Sequence, residues 1–145
     1  MDDALKQSII DTTMALVSIP SVIGDEKAIC DYVEERLLKR FSRDEIIRHS
    51  HSLLVEPGPR DPSKPTIGLV GHLDTVPDRQ DGPVRIENNR IIGCGVSDMK
   101  AGVALKIELL ERLDLENLGV NLTVVFYERE EGAYVDNGLH PLLEN

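Results

Sequence analysis

The chain has 145 residues, 26 acidic against 16 basic for a formal net charge of −10, with 41% apolar and 29% charged residues. That length and apolar content suit one domain with a core and exclude a disordered tail, and the acidic balance argues against nucleic acid or an anionic membrane as partner. No apolar run approaches the ~20 residues that span a bilayer, and the N-terminus MDDALKQ lacks the basic start and apolar block of a signal peptide.

Asp2 and Asp3 can cap a first helix with Leu5, Ile9, Thr13, Leu16 and Val17 on one face, and Pro20 stops it. A second helix opens near Gly24-Asp25-Glu26 and turns Ile29, Val33, Leu37 and Phe41 inward, with Glu34, Glu35, Arg36, Lys39 and Arg40 as its wet face. Residues 45–55 read as strands, and Pro57-Gly58-Pro59 through Pro65 as a turn-rich loop. Ile67 to Val70 is apolar without alternation, the pattern of a strand buried on both faces. Residues 84–87 and 90–93 read as a hairpin through Asn88-Asn89, since Asn suits the positive φ of tight turns. Gly93-Cys94-Gly95 leads into a helix from about Met99 to Leu113, with Val103, Ile107, Leu110 and Leu113 apolar. Asn121 to Tyr127 is a second buried-type strand. Strand, hairpin, helix and strand in that order predict an α/β fold, a mixed or parallel sheet flanked by helices. Leu139 to Leu143 begins an amphipathic helix, and the stop at Asn145 without a cap is what a truncated protein would show.

Three polar clusters end strands or Gly-rich loops, where open α/β sheets gather ligands. In the first, His72 and Asp74 lie two apart on an extended chain and so face one way. An imidazole can bind metal through one nitrogen while a carboxylate holds the proton on the other; two polar loop residues would look the same. The second, GCGVSDMKAG at 93–102, carries Asp98, which could equally be a helix N-cap. It is no phosphate loop, because the G-x-x-x-x-G-K-[ST] pattern is absent. Cys94 has no neighbouring Cys or His, so it reads as a buried structural thiol. With Cys30 far away, the cysteine usage fits a reducing cytoplasm. The third, Glu128-Arg129-Glu130-Glu131-Gly132, is either a solvated acidic turn or a pair of carboxylates reconciled by a divalent metal, one binding it and the other free as a base. Glu128 and Glu130 point the same way on an extended chain, so direction alone does not choose the base.

Taken together, GHLDTVP (71–77), GCGVSDMKAG (93–102) and EREEG (128–132) resemble the metallopeptidase M20 family of dinuclear zinc amidohydrolases: H-x-D, a Gly-rich loop with Asp-x-Lys, then E-E-G. SIPSVIGDE (18–26) is similar to the family's N-terminal helix junction. The resemblance implies a zinc-exopeptidase-like αβα catalytic domain, of which residues 1–145 are the N-terminal portion. It also implies that His72 binds one zinc, Asp98 bridges two, Glu131 binds the other, Asp74 orients His72 and Glu130 is the general base. Cobalt or manganese would be substitutes for zinc, and the Asp98–Met99 peptide would be cis. A later carboxylate, a late His and an inserted dimerisation domain belong to the family pattern outside these residues, so the whole enzyme would be a homodimer and this stretch alone inactive. His49, His51 and His140 match no ligand position and read as surface or structural.

Within the family, GCGVSDMKAG and VVFYEREEG are most similar to the desuccinylases of N-succinyl-diaminopimelate, particularly the actinobacterial type. That implies a small N-acyl amino acid as substrate, in lysine and cell-wall precursor synthesis. Other deacylases, carboxypeptidases or dipeptidases of the family remain open, as does a metal-free scaffold that kept the fold.

Overall fold

The computed structural model describes residues 2–77, 82–115 and 117–144. Helix α1 (Asp3–Val17) starts where the Asp2 side chain accepts the Ala4 N–H, and α2 (Lys27–Leu37) follows the bend after Pro20. A hairpin of β1 (Ile46–His49) and β2 (Ser52–Val55) comes next, then β3 (Thr66–His72). The small hairpin of β4 (Arg85–Glu87) and β5 (Arg90–Ile92) turns through Asn88 and Asn89 at φ 50° and 59°, the backbone that favours Asn there. Helix α3 (Ala101–Arg112), β6 (Asn121–Tyr127) and α4 (Leu139–Glu144) complete the order.

The main sheet runs β1-β2-β6-β3, with β2 antiparallel and β3 parallel to β6. Leu16, Ile29, Val33, Leu37, Ile107 and Leu110 of α1–α3 bury one face against Leu53, Val124 and Phe126. On the other face Leu142 of α4 packs on Leu54, Val125 and Tyr127. The result is the expected mixed sheet between helical layers.

Three expectations need correction. Strand β3 is not buried on both faces: Ile67 and Val70 are 46% and 45% exposed, because among the described residues β3 pairs only with β6. Arg36 is not on a wet face; it lies in the α2–α3 seam, where it donates to Glu111 through Nε at 2.6 Å and to Glu108 through Nη2 at 2.7 Å. Periodicity sees a helix's own stripe, not the acids a neighbouring helix presents. The third helix begins at Ala101 rather than Met99, because Asp98 and Met99 have non-helical backbones (φ −133° each) inside an irregular turn at Val96–Lys100. Phe41 is buried as expected, although it lies beyond the end of α2.

Candidate metal centre

Parallel pairing of β3 and β6 puts their carboxyl ends side by side. His72 is the register partner of Tyr127, and Leu73 N–H donates to the Tyr127 carbonyl at 2.8 Å. The chain then carries His72-Leu73-Asp74 off one strand and Glu128–Glu131 off its neighbour. The turn that opens α3 brings Asp98 to the same end. It is drawn in at Gly95 (φ 73°), where any side chain would run into Thr75, and by Lys100, whose buried amine donates to the Ile19 carbonyl at 2.7 Å. The Asp98–Met99 peptide is cis, as the resemblance implies.

One donor atom each from His72, Asp98 and Glu131 lies within 4.8 Å of the others. His72 is buried, with Nε2 3.0 Å from Asp98 Oδ1 and 3.9 Å from Glu130 Oε2. Its Nδ1 faces the carbonyl oxygen of Asp74 at 3.1 Å and the Asp74 carboxylate at 3.4 Å. Acceptors face both ring nitrogens, so the ring is protonated on each without a metal; an ion in the cluster would replace the Nε2 proton while the Asp74 side keeps the one on Nδ1. The fully buried Asp74 carboxylate also accepts the N–H groups of Glu130 (3.0 Å) and Glu131 (2.9 Å), so one side chain ties the imidazole to the acidic turn. Asp98 is 76% exposed, which leaves the cluster open on that side.

Burial lowers the affinity of His72 for a proton, but hydrogen bonds to Asp74 and Asp98 outweigh it and lift its pKa to about 9. Asp74 goes the other way: burial raises it, and the bonds from His72, Glu131 and Glu130 hold it below the ordinary carboxylate range. Glu131 is raised, by burial first and by the charge of Asp98 next. A proton on His72 and a reluctant Glu131 mark a site where anionic donors outnumber cations. One imidazole nitrogen with two carboxylates is a donor set that suits a divalent zinc-like ion, so the residues fit the metal that the resemblance implies.

Every residue expected at the site is at this end of the sheet: His72, Asp74, Asp98, Glu130 and Glu131. Asp98 is not a helix cap, since the N-cap position of α3 is Lys100. Glu128 does not point the same way as Glu130. Arg129 at φ 61° ends the extended backbone, and Glu128 is buried away from the cluster, accepting the His51 N–H at 3.2 Å. Cys94 is half-buried rather than buried, and its thiol faces the Val76 carbonyl instead of the cluster. The Cys30 thiol is buried and pushed up to about 12, so it is inert. His140 lies on α4 beside Glu144, and neither it nor His49 or His51 belongs to the donor cluster. Periodicity overlooked Met99, whose sulfur accepts the His72 N–H at 3.4 Å, because a Met before a helix reads as core.

A sequence profile of Peptidase family M20/M25/M40 matches residues 68–145. A Mycobacterium tuberculosis protein bearing the provisional name succinyl-diaminopimelate desuccinylase DapE is 40% identical over 130 residues, covering 90% of this chain and 36% of that protein. The succinyl-diaminopimelate desuccinylase of Corynebacterium glutamicum is 36% identical over 129 residues, 88% of this chain and 34% of its own length. The chain thus spans about a third of the curated relatives it matches. Human carnosine dipeptidase 1 superposes with a TM-score of 0.76 at 23% identity, over 98% of this chain and 36% of that one, a likeness of fold. The profile covers β3 from Gly68 onward, α3, β6 and all five residues gathered at their ends, and the chain belongs to Peptidase family M20/M25/M40.

Proposed function

We propose that residues 1–145 are the N-terminal portion of the catalytic domain of a zinc-dependent amide hydrolase acting on N-succinyl-diaminopimelate in the cytoplasm. The observation that carries the reading is the convergence of His72, Asp98 and Glu131 donors within 4.8 Å, with the Glu130 carboxylate beside them. The two desuccinylase-named relatives support the substrate, and succinate and diaminopimelate would be the products.

In this reading His72, Asp98 and Glu131 would hold two zinc ions, with Asp98 common to both; cobalt or manganese would serve as well. Divalent ions there supply Lewis acidity to a water and to the scissile carbonyl. Glu130 takes the proton from the attacking water and returns it to the leaving amine. Its carboxylate is half-exposed and 3.9 Å from His72 Nε2, within reach of a water at the cluster. Asp74 keeps the His72 ring oriented through Nδ1 and fixes the backbone of Glu130 and Glu131. Residues 1–145 offer each ion two protein ligands, one fewer than catalytic zinc normally takes. The stretch alone would therefore bind metal weakly and not turn over; the remaining ligands and a dimerisation domain would come from the rest of a homodimeric enzyme.

The test compares residues 1–145, a chimera of them with the remaining two-thirds of the Mycobacterium tuberculosis relative, and the Glu130→Ala chimera, assayed for succinate release with added zinc. The chimera should turn over, the 145-residue chain should not, and Glu130→Ala should lower kcat by about 10²–10⁴-fold. Turnover by the chain alone near the chimera's rate would overturn the division of the site. Full activity in Glu130→Ala would overturn the general base.

A further inference from the structure

Three successive backbone N–H groups, those of Arg129, Glu130 and Glu131, donate to buried carboxylates. Asp74 takes the last two, and Glu26 takes the first at 3.3 Å. Glu26 lies more than a hundred residues earlier, at the position that opens α2, yet its side chain caps nothing there. Its Oε1 accepts the Gly24 N–H at 2.8 Å together with that of Arg129, and its Oε2 is buried with no hydrogen-bond partner among the described residues. A carboxylate held in this way is unfavourable for stability, and a helix-capping role does not account for it.

The rest of its loop also grips the site. Ser21 Oγ donates to the Leu73 carbonyl at 2.8 Å, Ile23 N–H to the Thr75 carbonyl at 3.0 Å, and a side chain at Gly132 would collide with Ile23. Arg129 keeps φ 61°, a backbone that non-glycine residues adopt only when their surroundings hold it.

We propose that Glu26 is a positioning residue for the metal centre: by accepting the Arg129 N–H it sets the turn that aims Glu130 and Glu131 at His72 and Asp98. The proposal rests on the metal-centre reading above. Removing the acceptor frees Arg129 to relax, and both carboxylates then swing with the backbone.

Cobalt(II) titration and amide hydrogen exchange on the 145-residue chain test this, with Glu26→Ala, Glu26→Gln and Glu26→Asp. Gln keeps an acceptor at full reach without charge, and Asp keeps the charge but falls short. Cobalt affinity should drop about 10–100-fold in Ala and Asp, the usual penalty for losing a partner that orients ligands. It should stay within about twofold in Gln, with the Arg129 amide slow to exchange in the parent and Gln and fast in the other two. Unchanged affinity in Ala overturns the proposal, and so does the reverse order, Asp like the parent and Gln weak, because charge rather than reach would then matter. Should Ala not fold, the Gln–Asp order decides. A parent that binds no cobalt even with the ion in large excess, beyond the weak affinity expected of two protein ligands per ion, refutes the metal-centre reading instead. The Arg129 amide then decides for Glu26: at least tenfold faster exchange in Asp than in Gln keeps its hold on the turn, and equal rates overturn it.

Discussion

His72 and Tyr127 are register partners at the carboxyl ends of two parallel strands, their rings edge to face with centroids 6.3 Å apart. From that pairing the two segments with chemistry, 72–74 and 128–131, leave the sheet side by side. Had β3 and β6 been antiparallel, His72 and Glu131 would lie at opposite ends of the sheet.

If the cluster is the metal centre, its ligands are separable from the other histidines. His72→Ala, Asp98→Ala and Glu131→Ala should each weaken cobalt(II) binding by about tenfold or more, measured by calorimetric titration. His140→Ala should leave it unchanged, because that side chain is exposed on α4 beside Glu144. Equal losses at His140 and at the three would place the ion elsewhere.

Glu108 makes the fold acid-sensitive. It is buried in the seam of α1, α2 and α3; burial raises its pKa, but bonds from Thr12, Arg112, Ser8 and Arg36 outweigh that and hold it at about 2, against an ordinary 4.5. A folded value below the unfolded one favours the folded state above the unfolded pKa. About 3 kcal/mol is therefore present at neutral pH and lost as pH falls from 4.5 toward about 2. Urea unfolding at pH 7 and pH 3 should show about 2 kcal/mol of that loss, and Glu108→Gln should blunt the difference. An identical pH response in the variant would count against the seam.

Lys106 should do the opposite at alkaline pH. Its amine is buried beside Gly71 without a hydrogen-bond partner among the described residues, and burial lowers its pKa from 10.5 to about 8. The unfolded chain binds the proton more tightly between those values, so stability rises with pH from about 8 to 10.5, by about 3 kcal/mol for this group alone. Lys106→Met removes the buried charge and should be more stable than the parent at pH 7 by about 1–3 kcal/mol. The gain should shrink by pH 10.5; a gain that does not depend on pH would mean that packing, not charge, sets the difference.

By itself the sequence determined the elements and the identity of the reactive groups. The Asp2 cap, the α1 and α3 stripes, the Asn88-Asn89 hairpin and the apolar β6 are local patterns, and local backbone preference with periodicity suffices to read them. The three motifs likewise brought His72, Asp74, Asp98, Glu130 and Glu131 forward, since the spacing within each is a property of the chain.

Only the tertiary structure decided what those groups face. That Glu130 turns to the cluster while Glu128 turns away follows from Arg129 at φ 61°, a backbone held by carboxylates from residues 26 and 74. That Arg36 is in a seam and β3 is an edge strand among the described residues depends on which elements pack beside them. These are contacts between residues far apart in the chain. Burial and charge act through space, so no pattern along the sequence carries them.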